Sequence, residues 1–191
     1  MKKMILPIIG LLFTLNANEI NYTQQINELR NKKLSSVDAY KLANAYYHRH
    51  LTYTDYQKAL KYFKIAKTKK SYYYLAQMYQ KGLGVNKNLE KAIHYYKLSN
   101  TKEAKYELAK LYLYNKHILK QPRTALSLLK KSAKAGYDKA QLLLGKLYLT
   151  NNNLVDKDLH KASKWIYLSA EKGNQEAIKI WDKEKLYKYF K

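Results

Sequence analysis

The 191-residue chain carries 37 Lys and Arg against 14 Asp and Glu, a formal charge of +23, and no cysteine. That excludes a disulfide-stapled miniprotein, a Cys-ligated zinc or iron-sulfur protein and a lipoprotein anchored through a lipidated Cys. The length suits one domain or one short repeat array, and 47% apolar with 27% charged residues, six Gly and two Pro is the composition of a globular, all-helical protein.

The charge is almost all lysine, because Arg occurs only at Arg30, Arg49 and Arg123. Nucleic-acid readers rely on Arg for bidentate contacts to bases and phosphates, so this make-up weakens that reading. Lys, Asn, Tyr and Ile share A/T-rich codons. Genome composition and attraction to a polyanion therefore both stand as sources of the excess.

In chain order, Lys2 and Lys3 precede an apolar run from Ile5 to Leu15 that ends at Asn16 and Ala17. The run is too short to span a bilayer and reads as a cleavable export signal over residues 1–17, which predicts a periplasmic or secreted mature protein beginning near Asn18. No later stretch is apolar and long enough to be a transmembrane segment. Residues 18–35, polar with Ile20, Ile26 and Leu29, fit a leader or capping helix.

From Ser36 the sequence repeats itself. Leu-Ala or Leu-Gly followed by Tyr recurs at Leu42, Ala43, Tyr46; Leu75, Ala76, Tyr79; Leu108, Ala109, Tyr112; and Leu144, Gly145, Tyr148, with the leucines 33, 33 and 36 residues apart. An Ala usually preceded by Lys recurs in step at Ala59, Ala92, Ala125 and Ala162, and seven residues beyond each lies a small residue, Ala66, Ser99, Ser132 or Ser169. Each pattern has helical i, i+3, i+4, i+7 spacing, so each unit holds two helices. Thr54 with Gln57 reads as a capping box, Pro122 as a helix start, and Gly136 and Gly173 as helix ends. One such pair cannot bury its apolar faces alone, which predicts stacking into a right-handed α-solenoid.

These residues carry a family resemblance. The segments Leu75–Ser99 and Ser132–Tyr148 resemble Sel-one-like repeats, a branch of the tetratricopeptide-like helical solenoids, in Leu-Gly/Ala-x-x-Tyr, the Gly82-Leu83-Gly84-Val85 loop, the Lys-Ala of the second helix and the Ala-x-x-Gly exit. The resemblance covers four units, 36–70, 71–101, 102–137 and 138–173, with 174–191 as a C-terminal capping helix. Units one and two lack the Ala-x-x-Gly exit: five residues separate Ala66 from Ser71 and Ser99 from Ala104, against eight from Ser132 to Ala140 and Ser169 to Ala177. The Gly-x-Gly-Val loop occurs only in unit two. Some secreted members place a Cys pair in every repeat, and this chain has none, so what is known of their ligands transfers poorly.

Catalytic chemistry finds little support. Ser99/Lys102, Ser127/Lys130 and Ser169/Lys172 match Ser-x-x-Lys, but the Ser-Asp-Asn and Lys-Thr-Gly partners are missing, and Ser99 and Ser169 occupy the small packing position. His48, His50, His94, His117 and His160 lie on different units without a His-Glu-x-x-His, so no metal site and no cofactor is expected. Gly82-Leu83-Gly84 lacks the strand and Lys-Ser/Thr of a phosphate loop and reads as an interhelix turn.

The expected function is therefore binding of another protein or peptide along the concave face, without enzymatic activity. An anionic envelope component bound through the Lys excess is the second reading, and an enzyme acting on peptidoglycan or β-lactams the third. First helices line the groove of such solenoids. The candidate strip is Asn44, Gln77, Lys110 and Lys146, each two residues after a repeat Leu and expected to point outward, with the ladder Tyr40, Tyr73 and Tyr106, continued by Leu142, alongside. Core packing is the competing role for that ladder. The strip is polar in units one and two and basic in three and four, which suits an extended ligand with one acidic end.

Overall fold

The computed structural model describes residues 21–29, 33–49 and 52–190. The proposed export signal lies outside the described residues. Among them there is no strand. A first helix, α1, covers 21–29, followed by α2 (Ser36–His48), α3 (Tyr53–Ala66), α4 (Lys69–Lys81), α5 (Leu89–Ser99), α6 (Lys102–Tyr114), α7 (Pro122–Lys134), α8 (Asp138–Leu149), α9 (Leu159–Ala170), α10 (Gln175–Lys183) and a 3-10 turn, Leu186–Tyr189. The chain divides into two compact units, Met1–Ser99 and Asn100–Lys191.

The first unit packs α2 on α3, α3 on α4 and α4 on α5. Ile26 of α1 is buried with Leu42, Tyr46, Phe63 and Leu75, so the segment before the repeats is part of this core. The second unit packs α6 on α7, α7 on α8, α8 on α9 and α9 on α10, closed by the 3-10 turn, whose Leu186 is fully buried with Leu142, Ile166 and Ala177.

Why these residues fold this way is visible in three recurring contacts. The repeat leucines Leu42, Leu75, Leu108 and Leu144 are all buried, as are Ala59, Ala92, Ala125 and Ala162 on the facing helices; each such Leu contributes roughly 1.5–3 kcal/mol of burial. The small residue near the end of the second helix is then tied to the start of the first. Ser99 Oγ donates to Lys69 O at 2.8 Å, Ser132 Oγ to Lys102 O at 2.6 Å, and Ser169 Oγ to Asp138 O at 2.9 Å. These bonds join the last turn of one helix to the first residue of its partner, which fixes the pairs as antiparallel. The connection is closed by the carbonyl of the repeat tyrosine, which accepts from Asn88 N onto Tyr79 O at 2.8 Å, Gln121 N onto Tyr112 O at 3.3 Å, and Asp158 N onto Tyr148 O at 2.9 Å.

Helix starts are capped by short polar side chains that accept from otherwise orphaned amides: Ser35 from Asp38 N, Thr68 from Ser71 N, Thr101 from Ala104 N, Asp158 from Lys161 N and Asn174 from Ala177 N. Helix α3 starts earlier than the Thr54/Gln57 pairing predicts. Its cap is Thr52, whose hydroxyl accepts from Asp55 N at 3.1 Å and donates to the Asp55 carboxylate at 2.8 Å, leaving Thr54 inside the helix. Pro122 opens α7 as expected. Gly136 and Gly173 follow α7 and α9 with φ of 78° and 79°, whereas the shorter exits of repeats one and two turn through Lys67 and Asn100, both at φ 51°.

Candidate binding surface

The first-helix strip is less solvent-facing than the sequence implies. Asn44, Gln77, Lys110 and Lys146 are all half-buried, and three of them are held by neighbours. In the first unit, Gln77 Nε2 donates to the Tyr73 hydroxyl at 3.0 Å, and the Tyr73 ring lies 6.0 Å from Tyr96. Tyr40 packs 6.0 Å from Phe63 and 6.3 Å from Tyr74. Burial, reinforced by Tyr74, pushes its phenol up to about 12. Core packing is thus a large part of what the ladder does.

In the second unit, Lys110 sits 5.1 Å over the Tyr106 ring and pairs with Glu107 at 3.3 Å. Lys146 on α8 pairs with Glu176 on α10. The half of the strip read as basic is therefore matched by carboxylates, and the expected charge asymmetry is largely cancelled. Tyr106 meets Tyr137 edge-on at 5.2 Å. Burial raises both phenols, Tyr137 to about 12, helped by Glu107 beside each. The structure does bring Tyr106, Leu142 and Lys146 together, around a recess of about 250 Å³ shared with Lys139, Leu143, Asn174 and Glu176.

A larger recess, about 650 Å³, lies among α7, α8 and α9 and was not foreseen. Lys130, Lys134, Lys161 and Lys164 surround Leu144, Tyr148, Trp165 and Leu168, and Gln141 contributes a buried amide. Gln141 lies three residues before Leu144, at core-facing helical spacing, and a polar residue in that place is the sequence signal that marked it.

The residues weighed for chemistry have other partners. Ser99 and Ser169 are fully buried and bonded to backbone carbonyls, while Ser127 is exposed on α7. His48 lies among the rings of Tyr22, Tyr47 and Tyr74, where desolvation lowers its pKa. His160 Nδ1 bonds Tyr189 O at 2.8 Å, and His94 meets Tyr95 edge-on. His50 lies outside the described residues. Among those described, no three His, Asp or Glu side chains cluster as metal ligands, and no helix is long and apolar enough to cross a membrane.

Similarity to known proteins follows the helix pairs. The Sel1 repeat family model matches residues 37–71, 69–100, 102–137 and 138–174, one match for each of α2–α3, α4–α5, α6–α7 and α8–α9. Among solved structures, a Sel1 repeat protein from Oxalobacter formigenes is 27% identical with a TM-score of 0.69, over 75% of this chain and 43% of that one. The c5321 protein, a protective antigen present in uropathogenic Escherichia coli strains and displaying an SLR fold, is 22% identical with a TM-score of 0.66, over 75% of this chain and 32% of that one. The chain thus spans less than half the length of either. Comparison with curated proteins finds no match. With four tandem matches that coincide with four packed helix pairs, three of them tied by a serine hydrogen bond, the chain belongs to the Sel1 repeat family.

Proposed function

We propose that the protein is an exported, non-enzymatic binding module that holds a segment of another protein against the first helices of its second unit, α6 and α8. The observation that carries this reading is the set of preorganised polar side chains on those helices. In that unit Lys110 is fixed by Tyr106 and Glu107, and Lys146 by Glu176 beside the recess at Tyr106 and Leu142; in the first unit, taken by itself, Gln77 is held by Tyr73. Side chains already held in one geometry lose less entropy on binding, which suits recognition of a peptide backbone.

Affinity capture from cell-envelope extract, using the chain from Asn18 onward, tests the proposal. Lys110→Glu and Lys146→Glu remove the partner, whereas the same reversal at the exposed Lys61 and Lys157 leaves it bound. The ion pairs at Lys110 and Lys146 are half-exposed and contribute at most about 1 kcal/mol to stability, so the variants fold. If all four reversals weaken capture equally and moderate salt abolishes it, diffuse attraction of a polyanion replaces the strip. Export is tested separately: the protein isolated from its cell begins near Asn18, and an intact Met1 in a cytoplasmic fraction refutes that part.

A further inference from the structure

We propose that the segment Leu186–Phe190 is a latch laid across α9 and α10 that keeps Lys146 of the binding strip paired with Glu176, so that releasing it turns that part of the strip basic. Helix α10 does not hold its position by itself. Nine residues are too few for a stable helix in water, and of Gln175–Lys183 only Ala177 is fully buried. The large side chain that fastens it is Leu186, fully buried in one cluster with Ala177, Leu142 and Ile166. Ala177 directly follows Glu176, the partner of Lys146, and Leu142 lines the same recess as Lys146 and Glu176. One leucine thus backs both walls of that recess, α8 and α10.

The seat under the segment departs from the repeat pattern to receive it. Tyr189 O accepts from Ser163 Oγ at 3.1 Å and from His160 Nδ1 at 2.8 Å; a carbonyl only accepts, so Nδ1 carries the proton. Ser163 is fully buried, and its place in the earlier repeats is taken by Leu60, Ile93 and Leu126. The hydroxyl therefore stands in the one repeat over which the segment lies. Phe190 adds a clamp: its ring lies 4.3 Å from Tyr167 and 5.5 Å from Trp181, yet it stays 41% exposed. The segment is joined to α10 through Lys185 at φ 49°, a left-handed conformation that a side chain with a β-carbon disfavours, so the hinge opposes the closed form. An anchored segment with an exposed tip and a strained hinge can open without unfolding the helices beneath it. Once it opens, the Lys146–Glu176 pair loses the packing behind it, and Lys146 meets an anionic group of the ligand instead. That consequence for binding rests on the function proposed above; the latch itself does not.

Lysine footprinting tests the latch without any partner. Trp165→Phe leaves Trp181 as the sole indole, so its emission reports whether Phe190 is seated. In that background the full chain is treated with limiting acetic anhydride, and acetylation of each lysine is read by mass spectrometry. Leu186→Ala and the milder Phe190→Ala shift Trp181 emission to the red and raise acetylation of Lys146 by about twofold to fivefold, the change that a half-exposed ion pair accounts for. Glu176→Gln raises it equally with emission unchanged. Lys110, whose partner Glu107 lies on the same helix, keeps its reactivity in all three variants. This footprint beside a failed capture of any partner supports the latch and refutes the proposed function. Unshifted emission in both latch variants, shifted emission with Lys146 unchanged, or an equal rise at Lys110 overturns the latch.

Discussion

Ile166 fills the space that a β-carbon on Gly145 would need: such a carbon would lie 2.5 Å from Ile166 Cγ1 and 3.2 Å from its backbone nitrogen. The corresponding first-helix positions of the earlier repeats are Ala43, Ala76 and Ala109, and the register position of Ile166 is held there by the buried Phe63, Tyr96 and Leu129. The glycine of repeat four is thus a packing answer to a β-branched neighbour rather than a turn.

Gly145→Ala accordingly destabilises the second unit by roughly 1–3 kcal/mol, the usual effect of overpacking, although the same change in an unhindered helix stabilises by about 1 kcal/mol. In an Ile166→Ala background the substitution becomes neutral or stabilising, because the methyl enters vacated space. Urea denaturation of the four variants measures the coupling. Additive effects show that the two residues do not share this space.

Ser99, Ser132 and Ser169 tie second helices to first-helix starts, and Ala66 holds the equivalent place in repeat one. An alanine is therefore sterically accepted there. Ser132→Ala loses one net hydrogen bond, about 0.5–1.5 kcal/mol. Ser132→Leu loses more, since its bulk separates α6 from α7. Equal unfolding midpoints for wild type and both variants contradict the tie.

The repeat register was legible because burial and sequence period coincide: the same side chain that closes one helix pair closes the next. Leu108→Ala lowers stability by about 2–5 kcal/mol, while Ser127→Ala on the exposed face of α7 changes it by less than about 0.5. Equal effects from the two changes refute the register. The cap of α3 was misread because Thr52 with Asp55 and Thr54 with Gln57 are equally good local pairings, and only packing decides between them. The pairing of the outward-expected Lys146 is not legible in the sequence because Glu176 lies thirty residues on, in the next first helix, beyond local patterning. The recess beside Gln141 and Trp165 lies where α7 of repeat three meets α8 and α9 of repeat four, and neither Gln141 nor Trp165 recurs in the other repeats, so periodicity averaged it away.

Alkali should loosen the chain through its tyrosines. Burial lifts Tyr40, Tyr47 and Tyr137 from 10.0 to about 12. Between those values the unfolded phenols lose protons while the folded ones keep them, so the stability present below pH 10 is lost as pH rises towards 12. Tyr47 lies among Tyr56, Phe63 and Tyr74 with ring centroids 5.4, 6.1 and 5.0 Å away. Tyr47→Phe should flatten the decline over that interval relative to wild type, which cancels the shared effect of lysine titration. Parallel pH profiles refute the assignment.

Gly84 and Gly173 both adopt left-handed backbone, with φ of 64° and 79°, but differ in what surrounds them. A β-carbon on Gly173 meets nothing within 4 Å, whereas one on Gly84 comes within 2.6 Å of the backbone of Tyr56 and Gln57 at the start of α3. Gly173→Ala carries only the conformational penalty, about 1–2 kcal/mol. Gly84→Ala carries that penalty and also forces the α4–α5 loop off α3, so it is the more damaging of the two. Comparing unfolding midpoints and amide exchange settles the order. The first-unit amides of Tyr56 and Gln57 exchange faster in Gly84→Ala and stay protected in Gly173→Ala. Equal losses in the two variants mean that the loop does not press on α3.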